Sequence, residues 1–327
     1  SLDLPVGWTE VQEGGTYRLT RREDDALFGY AVGPHSWKRF LHPPEVTVWQ
    51  GDGGMTPIDL TPPPVYAFFG VRPCEMAAIT IQDTVFLESG FSDDVYRSRR
   101  EMAFIVEVEC YEPGGTCFCA SMGTGPGAVD GADLVVSEIL DDEHRFLVRA
   151  ASDAGEEVVA GLEATQASDA VLAAAEQIIT GAAERMGRVL DTGGLRNALV
   201  SQAQSERWAD VAARCLTCAN CTMACPTCFC AGFDDSLALD GSVATRTRKW
   251  DSCFGVEFSY IHGGSLRTSA ASRYRQWVTH KLSTWWDQFG SSGCVGCGRC
   301  ITWCPVGIDI TAEAAGLLAD ARSEEVS

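Results

Sequence analysis

"CLTCANCTMACPTCFC", residues 215–230, carries six cysteines, and "CVGCGRCITWCP", residues 294–305, repeats the spacing of its first four. Both copies follow C-x2-C-x2-C-x3-C-P: Cys215, Cys218, Cys221 and Cys225 before Pro226, then Cys294, Cys297, Cys300 and Cys304 before Pro305. Three thiols at this spacing wrap a loop around one face of a cubane. The fourth, set apart by the proline, ligates the other cluster. Two copies therefore predict two [4Fe-4S] clusters that share ligands crosswise. Zinc also takes four thiolates, but its sites usually assemble from two separated C-x2-C pairs rather than two complete quartets.

The rest of the chain fits a metalloprotein. It has 327 residues, 46% of them hydrophobic, so two domains and at most three are expected. No apolar run reaches the ~18 residues that span a bilayer, and "SLDLPVGWTE" at the N-terminus lacks the basic and apolar regions of a signal peptide. The expected location is the cytoplasm, with no membrane contact. Fifteen cysteines in such a compartment argue for metal ligation over a disulfide framework. A net charge of -20 argues against nucleic acid as a partner.

"VYAFFGV", "AFIVEVEC", "ADLVVSEIL" and "HRFLVRA" read as strands, separated by the proline-rich "DLTPPPVY" and the glycine-rich "SMGTGPGAVDG". From Ser168, a plausible N-cap, to Leu190 the apolar spacing is helical, and "NALVSQAQSERWADVAAR" continues it toward Cys215. The fold class expected is α+β: a mixed α/β domain over residues 1–165, then a mainly helical dicluster ferredoxin domain over 166–327. The acidic stretch 130–163 reads as a solvated face. Between the motifs, Arg246, Arg248, Lys249, Arg267, Arg273, Arg275 and Lys281 stand against Asp251 and Glu257. Cations there would stabilise anionic clusters and raise their potentials.

Seven cysteines remain. Cys74 and Cys110 fall at strand ends and Cys117 and Cys119 at a glycine turn, places where backbone approaches a metal closely, so these four are a candidate third site. Cys228, Cys230 and Cys253 form a lesser candidate set that would need a non-cysteine ligand such as an Asp or His262. His35, His42, His144, His262 and His280 lack metal-ligand spacing, "GTGPG" at 123–127 lacks the spacing of a nucleotide fingerprint, and Lys38 reads as a solvated lysine. No catalytic residue is evident. Trp250, Trp285, Trp286 and Trp303 would shield the clusters or simply fill a core.

"GPHSWKRFLHPPE", "FFGVRPCEMAAI", "VECYEPGGTCFCASMGTGP", "WDSCF" and "CVGCGRCITWCPVGIDI" resemble the iron-sulfur beta subunit of cytoplasmic NAD(P)-linked [NiFe] hydrogenases, also called sulfhydrogenases. The related A subunit of anaerobic sulfite reductase is the alternative, and "GVRPC" with "CPVGIDI" looks more like the hydrogenase branch. Glu75 departs from the Asp usual after this cysteine. The resemblance implies an electron-transfer subunit of an oxidoreductase complex. It would relay electrons between the small and large hydrogenase subunits and a flavin/NAD(P)-binding subunit. A zinc-stabilised interaction protein without redox role is the reading from a different class.

Overall fold

The computed structural model describes residues 4–30, 33–51 and 64–326, so most of the predicted proline-rich connection, residues 59–63, lies outside the described residues. Strands β1 (Trp8–Glu13) and β2 (Thr16–Arg21) form an antiparallel hairpin. Its turn reaches the second cysteine motif, where Gly15 N donates to the Ile301 carbonyl at 3.1 Å. Strand β3 (Glu45–Gly51) follows.

The four predicted strands become one sheet. β4 (Ala67–Val71), β5 (Phe104–Val108) and β6 (Leu134–Leu140) run parallel, and β7 (His144–Ala150) closes the edge antiparallel to β6. Strands buried on both faces read as continuous apolar runs, as "FIVEV" and "LVVSEIL" do. On one face Met76 and Ile79, from the helix Pro73–Asp83, pack with Phe68, Tyr96 and Ile105; on the other Val106, Val108, Leu134 and Val136 meet Ala26, Phe28 and Tyr111. The carboxyl ends of parallel strands are where such sheets hold ligands. Here the chain leaves β4 into Arg72, Pro73 and Cys74, and leaves β5 into Glu109 and Cys110.

Helix Asp169–Glu184 begins after Ser168, as its spacing predicts. The next predicted helical stretch divides into Leu195–Ser201 and Arg207–Arg214, with a single 3-10 turn between them. The segment between the motifs is not helical throughout. Strands β8 (Ala231–Leu237) and β9 (Ala244–Trp250) form a hairpin, and β3 pairs with β9 to give the order β3-β9-β8. "ATRTRKW" alternates threonine with cations, a period of two that favours a strand, and Arg246 opposes Asp235 across the hairpin. Helices Ala270–Thr279 and Ile310–Val326 pack with Leu199, Trp208 and Val211 into the second core. No helix among the described residues is long and apolar enough to cross a membrane.

The two motif loops have the same backbone. Thr217 and Ala219 lie at φ 50° and 67°, and their counterparts Gly296 and Gly298 at 64° and 72°. Each loop ends in a helical turn, Asn220–Met223 or Arg299–Thr302, that carries the third cysteine. The residues differ because the surroundings do. A Cβ at Gly296 would stand 2.6 Å from Phe118 and Cys119 backbone atoms, and one at Gly298 would collide with the Thr116 carbonyl. In the first loop Thr217 and Ala219 hold the same left-handed backbone with side chains, at a cost of about 1–2 kcal/mol each.

Gly298→Ala is therefore expected to lower both the melting temperature and the iron content, whereas Ala219→Gly keeps the iron and raises stability by up to about 1 kcal/mol. Thermal melts with parallel iron assays check both. A second expectation concerns His42, buried against Phe86 and Trp250 with no hydrogen-bond partner on either ring nitrogen among the described residues. Burial, then the charges of Arg248 and Lys38, hold its pKa at about 3. The unfolded chain binds that proton near the ordinary value of about 6.5, so stability falls as pH drops below it, by about 1.4 kcal/mol per unit. Denaturant titrations between pH 7 and 5 should show a shallower loss for His42→Phe than for the unaltered protein.

Candidate metal centres

The first quartet is crosswise. Cys215, Cys218 and Cys221 line one cavity with Cys304 of the other motif, walled by Phe254, Tyr274 and Trp277. Burial pushes the Cys221 thiol well up, and Cys215, Cys304 and Cys218 add to it in that order. Backbone amides point at two of the sulfurs: Thr217 N lies 3.4 Å from Cys215 Sγ and Ile308 N lies 3.3 Å from Cys304 Sγ. Such donors favour a thiolate and tune a bound cluster.

The second quartet mirrors the first. Burial, then repulsion from Cys294, Cys297 and Cys225, raises Cys300 well above an ordinary thiol, and burial takes Cys294 up to about 12. Cys225 goes the other way. A hydrogen bond from Cys228 holds its pKa well below that of a thiol against the effect of burial, helped by the Lys281 ammonium. Lys281 is fully buried, and its Nζ donates to Cys225 Sγ at 3.1 Å, to Thr227 Oγ1 at 2.8 Å and to the Gly293 carbonyl at 3.0 Å. Burial opposes its charge, but Cys225, Cys228 and Cys294 outweigh that and hold it protonated.

Cys74, Cys110, Cys117 and Cys119 also meet, lining a third cavity with Arg72, Met186, Cys297 and Arg299. The first turn of the helix Pro73–Asp83, just past β4, supplies Cys74, and the residues just past β5 supply Cys110. The Gly114–Gly115 turn supplies the others, with Cys117 N bonded to the Gly114 carbonyl at 3.0 Å and Phe118 N to the Gly296 carbonyl at 2.7 Å. Burial, then Cys110 and Cys297, pushes Cys119 up to about 12.

The three sites follow one another in space. Cys300 of the second quartet also lines the first cavity, and Cys297 also lines the third. Arg299 stands at the second junction: its guanidinium bonds to Glu75 at 2.7 Å, both side chains almost fully buried, and it faces Cys297 and Cys74. Glu75 is thus the counter-ion of Arg299, which the sequence reading missed although the arginine lies inside the motif. Breaking such a buried pair costs about 3–5 kcal/mol.

Other expectations fare differently. Of the seven cations between the motifs, Arg246, Lys249 and Arg248 pair with Asp235, Asp234 and Asp93, and Lys281 is the one that reaches a motif sulfur. Lys38 is buried rather than solvated; its Nζ lies 3.9 Å from the Trp250 ring centre and donates to the Cys228 carbonyl at 3.1 Å. Cys253 hydrogen-bonds to Cys230 and so brings the latter to about 7 against the effect of burial, while Cys228 bonds to Cys225. His42 and His144 are engaged elsewhere, His144 with Glu138.

Among the described residues no three His, Cys, Asp or Glu side chains converge on a site for a single metal ion. The first quartet and the group of Cys74, Cys110, Cys117 and Cys119 each line a cavity, and an all-sulfur donor set with amide and ammonium donors at the sulfurs fits iron-sulfur clusters.

Comparison with known proteins agrees. The model of the 4Fe-4S dicluster domain family matches residues 214–308, which span both motifs, so the cofactors are two [4Fe-4S] clusters and the zinc reading is set aside. Sulfhydrogenase 2 subunit beta of Pyrococcus furiosus is 34% identical over 270 residues, a match covering 81% of this chain and 74% of that protein. No solved structure matches the chain. With 81% of this chain and 74% of that one aligned at this identity and the dicluster domain in place, this chain belongs to the family of sulfhydrogenase iron-sulfur beta subunits.

Proposed function

We propose that this chain is a cytoplasmic relay that passes electrons between a [NiFe] hydrogenase module, made of its large and small subunits, and a flavin/NAD(P)-binding subunit. The observation that carries this reading is the continuous series of thiol quartets, joined at Cys300 and at Cys297. Bound there, the clusters would exchange single electrons with little change in geometry.

In this reading Cys215, Cys218, Cys221 and Cys304 hold one cluster, Cys225, Cys294, Cys297 and Cys300 the second, and Cys74, Cys110, Cys117 and Cys119 a third. Residues 1–165 form the domain that carries the third site, and 166–327 the helical-ferredoxin-type domain that carries the pair. Cys228, Cys230 and Cys253, with Asp251 beside them, are a weaker candidate set of the same kind. No residue here needs to touch a substrate. Lys281 and Arg299 offset the charge of the bound groups, and Phe254, Tyr274 and Trp277 keep water from the first.

Two variants of the copurified complex test this assignment. Cys119→Ser is expected to lower iron by about four per chain and remove one paramagnetic signal; unchanged iron and spectra would remove the third site from the account. Lys281→Met is expected to lower the potential of the cluster bound by Cys225 by about 60 mV, the one-electron equivalent of a ~1.4 kcal/mol charge-assisted hydrogen bond. A redox titration followed by electron paramagnetic resonance reads it, with the cluster at Cys215 as the internal control.

A further inference from the structure

Among the described residues Lys38, Arg72, Arg248, Arg273, Lys281 and Arg299 are buried cations. Two of them have a carboxylate, Asp93 for Arg248 and Glu75 for Arg299. The other four have no salt bridge to a carboxylate among the described residues, and each lies beside cysteines instead. Lys281 bonds to the Cys225 sulfur, Lys38 bonds to the Cys228 carbonyl, and the Arg273 charge opposes the effect of burial on Cys215. Arg72 belongs to the third site. It lines that cavity with Cys110, where burial raises the thiol and the Arg72 charge is the strongest influence against it.

The fold holds this guanidinium in one place. Arg72 follows β4 and immediately precedes the helix Pro73–Asp83. Its Nη1 donates to the Glu109 carbonyl at 3.4 Å, and its Nη2 donates to the Phe28 carbonyl at 2.9 Å and to that of Tyr30. Three carbonyls orient the planar fork but leave its charge standing. Glu75 bonds to Arg299, so the two guanidinia that line the cavity share one buried carboxylate. A buried charge without a counter-charge is costly, and thiols pushed up by burial, Cys119 to about 12, supply none when free. The same thiols bound to iron are thiolates and do supply it.

We propose that Arg72 is a positioning residue of the relay: its fixed positive charge balances the anionic iron-sulfur cluster held by Cys74, Cys110, Cys117 and Cys119 and raises that cluster's reduction potential. Each one-electron reduction adds one negative charge at the third site, with no bond made or broken, and Arg72 favours that added charge. The proposal rests on the relay reading above.

The test is a redox titration of the copurified complex followed by electron paramagnetic resonance, reading the signal that Cys119→Ser removes. Arg72→Gln is expected to disfavour reduction of this cluster at least about tenfold, equivalent to about 59 mV for one electron, while the signals of the clusters at Cys215 and Cys225 stay where they are. Arg72→Lys, which keeps the charge and loses the fork, should recover most of the shift. Loss of about four iron per chain in Arg72→Gln but not in Arg72→Lys would support the same role, since the anion is then held only with its counter-charge. An unmoved potential in Arg72→Gln, equal shifts in the two variants, or loss of iron or fold in both would overturn the proposal, leaving Arg72 as a strut between the carbonyls it ties. Absence of this signal from the unaltered complex would overturn the third site itself, and the proposal with it.

Discussion

The seating of the Thr116–Cys119 segment on the second motif loop is the contact on which the arrangement depends. Gly296 and Gly298 make it feasible, because any side chain there would meet backbone that cannot yield. Through it the carboxyl edge of a parallel sheet and a ferredoxin-type motif become neighbours, and Cys297 comes to line the same cavity as Cys74, Cys110, Cys117 and Cys119. Thr116 completes the joint, its hydroxyl lying 2.7 Å from that of Thr302, which itself bonds back to Gly298. At the first loop the Thr222 hydroxyl lies 2.7 Å from that of Ser252.

So many thiols in a dry interior create an electrostatic problem. Nearly all the motif cysteines with a resolved shift are pushed up, chiefly by burial and then by one another, as free thiols crowded together would be. Cys225 is the exception, and its partner Lys281 is one of the most deeply buried cations in the protein. Arg299, neutralised by Glu75, is the other cation placed between sites. An unpaired ammonium would not survive at such depth, so these cations are tied to the sulfurs and carboxylate that face them. Arg72 joins Arg299 in lining the third cavity.

Much of this was legible in the chain, for identifiable reasons. Cysteine spacing encodes a local wrap, so the dicluster character of the segment 214–308 could be read from its two motifs, and the four sheet strands showed as apolar runs because both their faces are covered. That Cys74 and Cys110 fall at strand ends was readable too, but their meeting with Cys117 and Cys119 depends on β4 and β5 being neighbours, which no local pattern states. The hairpin Ala231–Trp250 was read as helix because its alternation is between polar residues and carries no apolar period. Lys38 passed for a surface lysine because burial by Trp250 and the Cys228 carbonyl is a tertiary fact. The signal for Arg299 and Glu75 was present, a charge inside a cluster motif and another beside a candidate ligand, but pairing them required the fold.

The central claim is that this chain holds a series of iron-sulfur clusters. The measurement that tests it most directly is iron, acid-labile sulfide and zinc per chain, determined anaerobically on the intact complex after its other subunits have been accounted for. The account predicts about twelve iron and as many sulfide, without stoichiometric zinc. About eight iron would leave the crosswise pair and contradict the third site, and zinc in place of iron would contradict the relay altogether.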